Sequence, residues 1–352
     1  MGALLQPAMF SKLKRKWKCT LGLEKPAVSV VLPNYNGSDF LKKAVDSVLT
    51  QSFTDFELIV VEDGSTDQSA ELLASYSDPR IRVISLKQNE HICVALNTGL
   101  AAARGKYIAR IDSDDCWLPE KLEKQYLYME KNPDCGACFT LVTVVDEDER
   151  TQSEEQSPFV SIFREVNRTR YEWLRYLFFY GNHLCHSSAF FRRSIVQQIG
   201  LYRTSLVQLQ DYEYWMRIAR IRELYILQEP LVRYRHRLRG GNVSEATPTN
   251  SIRSRYEFYN VLRSCMGQIT DDTLVLAFRS DFLRPEAAIH DELLCERAFL
   301  LLKTDCCGKA GKLAGVDMLA ALLDTESTRR ILREKYGFSQ LDLYKLTATV
   351  TV

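Results

Sequence analysis

Between residues 26 and 130 the chain alternates two hydrophobic spacings. "AVSVVL", "FELIVVE", "IRVISL" and "YIARI" are short apolar, largely β-branched runs, which predict buried strands. Between them the spacing becomes helical. "FLKKAVDSVLT" puts Leu41, Ala44, Val45 and Val48 on one face, "TDQSAELLASYS" offers Thr66 or Asp67 as its cap, and "ICVALNTGLAAA" follows. Strand–helix alternation with short links predicts right-handed βαβ units and a parallel sheet. Farther on, "LPEKLEKQYLYMEKN" predicts a helix with Pro119 in its first turn, and "CFTLVTVV" another strand. The acidic stretch "DEDERTQSEEQS" has no core-forming residues and is expected to be a solvated loop. After about residue 245 repeated helical spacings predict a helical unit without a catalytic motif.

In parallel sheets of this kind ligands bind beyond the carboxyl ends of the strands. The first strand ends in "PNYNG", the second in "EDGSTD" and the fourth in "DSDD", so three polar clusters converge on one rim. Within "IARIDSDDCW", Asp112, Asp114 and Asp115 place three carboxylates in four positions. Like charges so close repel and resist burial. A divalent cation with oxygen ligands would reconcile them.

Charge and composition exclude some classes. Lys+Arg 46 against Asp+Glu 45 leaves a net charge of +1, which does not favour nucleic acid. No apolar run approaches the roughly 20 residues of a membrane span. Residues 1–25 form a basic leader, with Lys12, Lys14, Arg15, Lys16 and Lys18 around Leu13 and Trp17. It reads either as a docking segment for an anionic membrane surface or as a disordered arm. Without a signal-peptide pattern, the expected location is cytoplasmic, with peripheral contact at the inner membrane face. The ten cysteines read as reduced thiols. Cys135 and Cys138 form one C-x-x-C, but no second pair accompanies them for zinc. A G-x-G-x-x-G fingerprint is missing, "GLAAARGK" has the wrong P-loop spacing, and Trp117 sits where an EF-hand requires glycine.

Four stretches in order, "VSVVLPNYNG", "FELIVVEDGSTD", "ALNTGLAAARGKYIARIDSDD" and "LQDYEYWMRIA", resemble the family 2 glycosyltransferases, inverting enzymes of the GT-A fold. The resemblance spans residues 26–240 and leaves 241–352 as a C-terminal helical extension. It implies an α/β GT-A domain: a Rossmann-like, mostly parallel sheet with flanking helices. The implied activity moves a sugar from a nucleotide-sugar donor to a hydroxyl of a glycan or lipid-linked acceptor, in cell-surface polysaccharide synthesis. UDP is the family's commonest donor nucleotide. The absence of Q-x-x-R-W argues for single addition over processive synthesis.

The roles carry over residue by residue. Asp114 would ligate Mn²⁺ or Mg²⁺, and Asp112 would contact the ribose or share the metal. Pro33, Tyr35 and Asn36 would shape the base pocket. Asp63 would accept the base N–H, although turn capping explains an Asp-Gly-Ser equally well. Asn97 and Arg110 are donor-side candidates. Asp211 matches the catalytic base, with a plain helix N-cap as the competing role. Gln210 stands where the family has Glu. His183, His186 and Trp215 are acceptor-side candidates, and a structural role suits either histidine as well. In "YRHR", Arg237 takes the family's His position and His236 falls one residue early. If that segment is extended, Arg233, Arg235, Arg237 and Arg239 share one face. Arg235 and Arg237 would then hold the diphosphate, with Gly240 and Gly241 letting the loop close, unless the face is merely solvated. Two other classes stay open: a nucleotidyltransferase of related α/β fold, and a non-catalytic nucleotide-sugar-binding module.

Overall fold

The structure, a computed structural model, describes residues 25–240, 242, 245, 247–305 and 309–349. The expected leader and Gly241 therefore lie outside the described residues, apart from Lys25. The first half runs β1 (Val28–Asn34), α1 (Ser38–Leu49), β2 (Phe56–Glu62), α2 (Ser69–Ala74), β3 (Ile81–Ser85), α3 (Ile92–Ala102) and β4 (Tyr107–Arg110). Next come β5 (Cys116–Trp117), α4 (Lys121–Lys131), β6 (Cys135–Val145), α5 (Phe159–Ile162), α6 (Arg170–Tyr180), β7 (Phe190–Arg192), α7 (Arg193–Ile199), α8 (Gln210–Ala219) and β8 (Glu223–Arg235). The remainder is helical: α9 (Pro248–Gln268), α10 (Asp271–Phe278), α11 (His290–Lys303), α12 (Ala310–Asp324), α13 (Glu326–Tyr336) and α14 (Gln340–Thr347).

The strands form one mixed sheet in the order β3-β2-β1-β4-β7-β6-β8-β5. β1 pairs in parallel with β2 and β4, and β2 with β3. β7 runs antiparallel to both β4 and β6, so β6, and β8 parallel to it, point the same way as β4. The carboxyl ends of β1, β2, β4, β6 and β8 thus share one rim. Sequence alternation sorts the two faces. Val31, Val61 and Ile108 pack toward α3, α6 and α8, while Val30, Val60 and Ala109 pack toward α1 and α4. Every residue of β1 and β2 is buried, as expected of parallel strands covered on both faces.

Two features differ from the sequence expectation. Part of the acidic stretch is not merely solvated: Asp146–Glu149 folds back onto arginines at the end of β8. Also, α2 begins only at Ser69, with Gln68 at its cap position. The Asp67 carboxylate still serves this corner, accepting the amides of Ser69 at 3.0 Å and Ser38 at 2.9 Å. The C-x-x-C cysteines are buried in β6, and desolvation pushes the Cys135 thiol up to about 12, which disfavours the thiolate a metal would need. No described helix is long and apolar enough to cross a membrane.

The C-terminal helices are divided between two cores: α9 and α10 join that of the sheet, while Cys295, Phe299, Leu319, Leu323 and Leu332 of α11–α13 form a cluster of their own. Phe258, Val261, Leu262 and Met266 of α9 belong to the same apolar cluster as Tyr212, Trp215 and Trp173. Leu262 is fully buried there. Leu262→Ala is therefore expected to destabilise the protein by about 2–5 kcal/mol. Denaturant unfolding followed by tryptophan fluorescence and by helix circular dichroism should show one shared, shifted transition. A fluorescence transition left in place while only the helical signal shifts would show that the cluster is not cooperative.

Candidate active site

The rim is built from five loops. The first two are tied to each other. Asn36, at φ 49°, accepts the Thr66 amide at 2.8 Å through its side chain and donates its own amide to Ser65 Oγ at 2.9 Å. Gly64 turns between them at φ 68°, and a Cβ there would lie 2.5 Å from the backbone of Gln88, so only glycine fits. Pro33 is buried at the end of β1, whereas Tyr35 is exposed above it. Asp63 is buried and its Oδ1 accepts the Glu90 amide at 2.8 Å; burial pushes its carboxyl up, against the pull of the Glu90 and His91 amides. Asp63 thus ties its loop to the one before α3, while the local turn amide of Ser65 is taken by Glu62 Oε1 at 2.9 Å. A Cβ on Gly37 would meet Ser113 Oγ at 2.9 Å, so the "PNYNG" loop abuts the "DSDD" turn.

In that turn each carboxylate has a partner. Arg110, buried within β4, forms a two-pronged ion pair with Asp112. Ser187 Oγ, in a short 3-10 turn after α6, donates to Asp112 Oδ2 at 3.0 Å and accepts the Asp112 amide at 2.9 Å. Asp114 Oδ2 pairs with Arg237 at 2.8 Å. Burial and the charge of Asp112 push the Asp114 carboxyl up, and Arg237 pulls it back down. Asp115 is fully enclosed; its Oδ1 accepts the Arg235 amide at 2.6 Å, while its buried Oδ2 has no partner. Desolvation and the two neighbouring carboxylates push Asp115 well up.

Arg233 and Arg235 lie on β8, which ends at Arg235, so the four arginines do not all share a strand face; the chain's own acidic loop meets Arg233, Arg235 and Arg239. Arg233 and Arg235 both pair with Glu149, which adopts φ 66°, and Arg239 pairs with Asp148 at 3.2 Å. Arg235 also donates to the carbonyls of Asp114 at 2.8 Å and Asp146 at 2.6 Å. Arg235 and Arg237 stack over the Phe40 ring at 4.4 and 5.1 Å. On the opposite side Tyr234 and His236 pack against Phe159.

Asp211 lies in the first turn of α8 and is not its cap; that position belongs to Leu209. Its Oδ2 accepts Asn182 Nδ2 at 2.7 Å and its Oδ1 accepts the Tyr212 amide at 2.7 Å. Desolvation pushes its carboxyl up to about 6 from an ordinary 3.8, partly offset by the Tyr212 amide, the Arg110 charge and Asn182. The dependence on Arg110 and Asp112 places Asp211 within electrostatic reach of the "DSDD" turn. Gln210 begins the helix with its Oε1 buried and unpartnered.

Other candidates serve the frame. Asn97 clamps the Tyr202 backbone from both sides, donating to its carbonyl and accepting its amide, each at 2.9 Å. His186 is buried and 3.1 Å from the Tyr202 hydroxyl; burial lowers it well below the usual range, so it is neutral. Trp215 is fully buried with its ring edge-on to His186 and Phe139. Both are therefore enclosed by their neighbours and turn little surface to solvent. His183, beside Asn182, stays partly exposed and is held by Glu165 at 2.8 Å. Asn182, Ser187 and Glu149, which hold the candidate carboxylates and arginines, carry no local sequence signal of that role.

The comparisons agree with this geometry. Residues 29–200 match the model of glycosyl transferase family 2. An uncharacterized glycosyltransferase of Methanocaldococcus jannaschii is 33% identical over 219 residues, covering 60% of this chain and 72% of that protein. TuaG of Bacillus subtilis, whose name refers to teichuronic acid biosynthesis, is 42% identical over 126 residues, 35% of this chain and 50% of its own. Among solved structures, S. aureus TarS (residues 1–349) with UDP-GlcNAc superposes with TM-score 0.56 at 18% identity, covering 84% of each chain. The mannosyltransferase PcManGT of Pyrobaculum calidifontis, with GDP-Man and Mn²⁺, gives 0.52 at 17% identity, covering 96% of this chain and 90% of that one. These neighbours share the GT-A arrangement of a mixed sheet with flanking helices. With the rim and its loops in place, the chain belongs to glycosyltransferase family 2 and is a glycosyltransferase.

Proposed function

We propose that this protein is an inverting, metal-dependent transferase that moves a sugar from a nucleoside diphosphate sugar to an acceptor hydroxyl. The observation that carries the reading is the common rim. Asp211, with its carboxyl raised to about 6, stands there with the "DSDD" turn and two linked loops suited to a nucleotide. Pro33, Tyr35, Asn36 and Asp63 would hold the base. Arg110, through Asp112, and Arg237 would orient the donor, with Arg235 stiffening the "DSDD" turn from behind.

The residues fit a divalent cation in one particular way. No group of three or more His, Cys, Asp or Glu among the described residues could hold a metal alone. Two carboxylates completed by diphosphate oxygens suit Mg²⁺ or Mn²⁺, which rarely rely on an all-protein cage. Asp114 and Asp112, now paired with Arg237 and Arg110, would be those ligands, and the next carboxylate in the chain, Asp115, has a buried, unpartnered Oδ2. When bound, the cation neutralises the leaving nucleoside diphosphate. Asp211 takes the acceptor proton as the hydroxyl attacks the face opposite the diphosphate, and Asn182 fixes its carboxylate. UDP is the favoured donor nucleotide, and GDP the next. The relatedness to TuaG supports a glycan or lipid-linked acceptor in cell-surface polysaccharide synthesis. The leader's cations support contact with an anionic membrane surface at the cytoplasmic face, where such an acceptor would be met.

The first test is a panel of UDP-GlcNAc, UDP-glucose, GDP-mannose and dTDP-glucose with Mn²⁺. Free sugar plus nucleoside diphosphate is the expected product. Pyrophosphate would indicate a nucleotidyltransferase, and binding without turnover a non-catalytic module. Asp114→Asn is expected to abolish Mn²⁺-dependent UDP binding in calorimetry. Undiminished UDP affinity of the parent protein in excess EDTA would overturn the metal assignment.

For Asp211, a raised carboxyl means that the fold favours its protonated form. Its contribution to stability is full below about pH 4 and is lost as pH rises through about 6. Because the side chain keeps some solvent contact, ionisation costs about 1–2 kcal/mol, less than the full shift implies. Asp211→Asn should thus gain stability over the parent between pH 4 and pH 7, read as the difference in urea unfolding. The same variant should bind UDP normally yet turn over at least about 10²-fold more slowly. Near-parental turnover would assign the proton transfer to another group.

A further inference from the structure

The loop that delivers Asp211 is held from outside the family-matched segment. Helix α8 begins at Gln210, and its cap residue, Leu209, offers no side-chain acceptor to the first turn. Helix N-termini leave backbone N–H groups without intrahelical partners, and the residues leading into them need acceptors too. Here the acceptor comes from α9. The Glu257 carboxylate receives the amide of Val207 on Oε1 at 2.8 Å, and those of Gln208 and Leu209 on Oε2 at 2.8 and 2.9 Å. Glu257 is only 1% exposed. A buried carboxylate needs such bonds, and amides at a helix start favour negative charge, so each side of the contact satisfies the other.

We propose that Glu257 is a positioning residue for the catalytic step: its three bonds to residues 207–209 fix the backbone from which Asp211 projects. The proposal rests on the reading of Asp211 as base. The rest of the loop is anchored elsewhere. Cys93 Sγ donates to the Leu206 carbonyl at 3.1 Å, and Asn97 clamps Tyr202. Those anchors bind the loop three or more residues upstream of Leu209. Glu257 engages three successive amides directly ahead of Gln210 and Asp211. The nucleotide loops, the "DSDD" turn and Arg237 make no contact with Glu257 in these bonds. Loss of Glu257 should therefore spare donor binding and impair turnover.

The experiment compares Glu257→Gln and Glu257→Ala with Arg263→Ala and Asp211→Asn in the full chain. Arg263→Ala breaks the α9–α12 ion pair to Asp317 and leaves the 207–209 amides untouched, so it serves as the control for a loosened helix. UDP with Mn²⁺ is the probe for the donor site. Turnover is nucleoside diphosphate release from the donor of the panel above that reacts fastest. Deuterium exchange across residues 203–212 reports on the loop itself. Glutamine keeps the shape of the side chain but turns an N–H donor toward amides that are also donors. Expected for Glu257→Gln are UDP affinity within about threefold of the parent, kcat lower by about 10- to 100-fold, and faster exchange of the 207–209 amides; a misplacement near 1 Å can cost that much. Glu257→Ala should lose more, and Arg263→Ala should keep parental kcat. If Glu257→Ala does not fold, the glutamine variant still decides. Parental kcat in Glu257→Gln while Asp211→Asn is inactive would overturn the positioning role alone. Equal kcat losses in Glu257→Gln and Arg263→Ala would also overturn it, by making the effect one of general stability. Parental kcat in Asp211→Asn would overturn the base assignment, and the positioning role with it.

Discussion

Electrostatic repulsion among Asp112, Asp114 and Asp115 is the constraint around which this rim is arranged. Three carboxylates in four positions cannot share a strand end unless each is offset. Arg110 comes from the same strand, Arg237 from beyond β8, and Asp115 takes the Arg235 backbone amide. The arginines then require anions of their own, and the loop after β6 supplies Glu149 and Asp148. The result is a charge network that joins the ends of β4, β6 and β8. Buried ion pairs of this kind add little net stability, because desolvation offsets most of their attraction. They do fix geometry, since removing one partner strands the other.

How much of this could be read from the sequence depended on range. β1 to β4 and α1 to α3 follow from periodicity: burial on both faces makes β1, β2 and β4 continuous apolar runs, and the half-exposed edge strand β3 alternates. The rim followed from topology alone, once the strands were parallel. β5 and β7 did not, as two and three residues are too few for any period to appear. β8 was hidden by register shifts against β6 around Pro230, which interrupt its alternation. The acidic stretch looked solvated because its counter-charges lie about ninety positions away, at Arg235 and Arg239. Composition reports how polar a segment is, and its partners decide whether it is free.

The site shows the same division. Asp63 and Asn36 stood out because they sit in polar clusters at strand ends, although each is held by a partner 27 or 30 positions away. Residues outside such clusters that serve through a distant partner did not. Asn182 reaches Asp211 across 29 positions, and Ser187 reaches Asp112 across 75. Asn97 was a donor-side candidate by its neighbourhood in the sequence, but its amide has both functions committed to Tyr202. His186 and Trp215 illustrate the converse: polar or aromatic residues beside candidates in the sequence can be enclosed by their neighbours. A buried neutral imidazole bonded to a tyrosine hydroxyl is part of the packing.

The setting of Asp211 resolves into opposing effects. Desolvation raises its carboxyl, whereas the amide of Tyr212, the charge of Arg110 and Asn182 lower it, and the outcome is about 6. A carboxylate left fully hydrated would be ionised but a weak base; one buried without these partners would hold its proton through the physiological range. A value near 6 suits the proposed proton transfer, since the group is then ionised at neutral pH and still basic enough to assist an attacking hydroxyl. That balance holds only if the start of α8 stays where Asn182 and Arg110 can act on it. The helix supplies no cap of its own, and its anchor stands on α9, 46 residues beyond Asp211 in the sequence. Helix α9, which carries that anchor, packs into the same apolar core as α8.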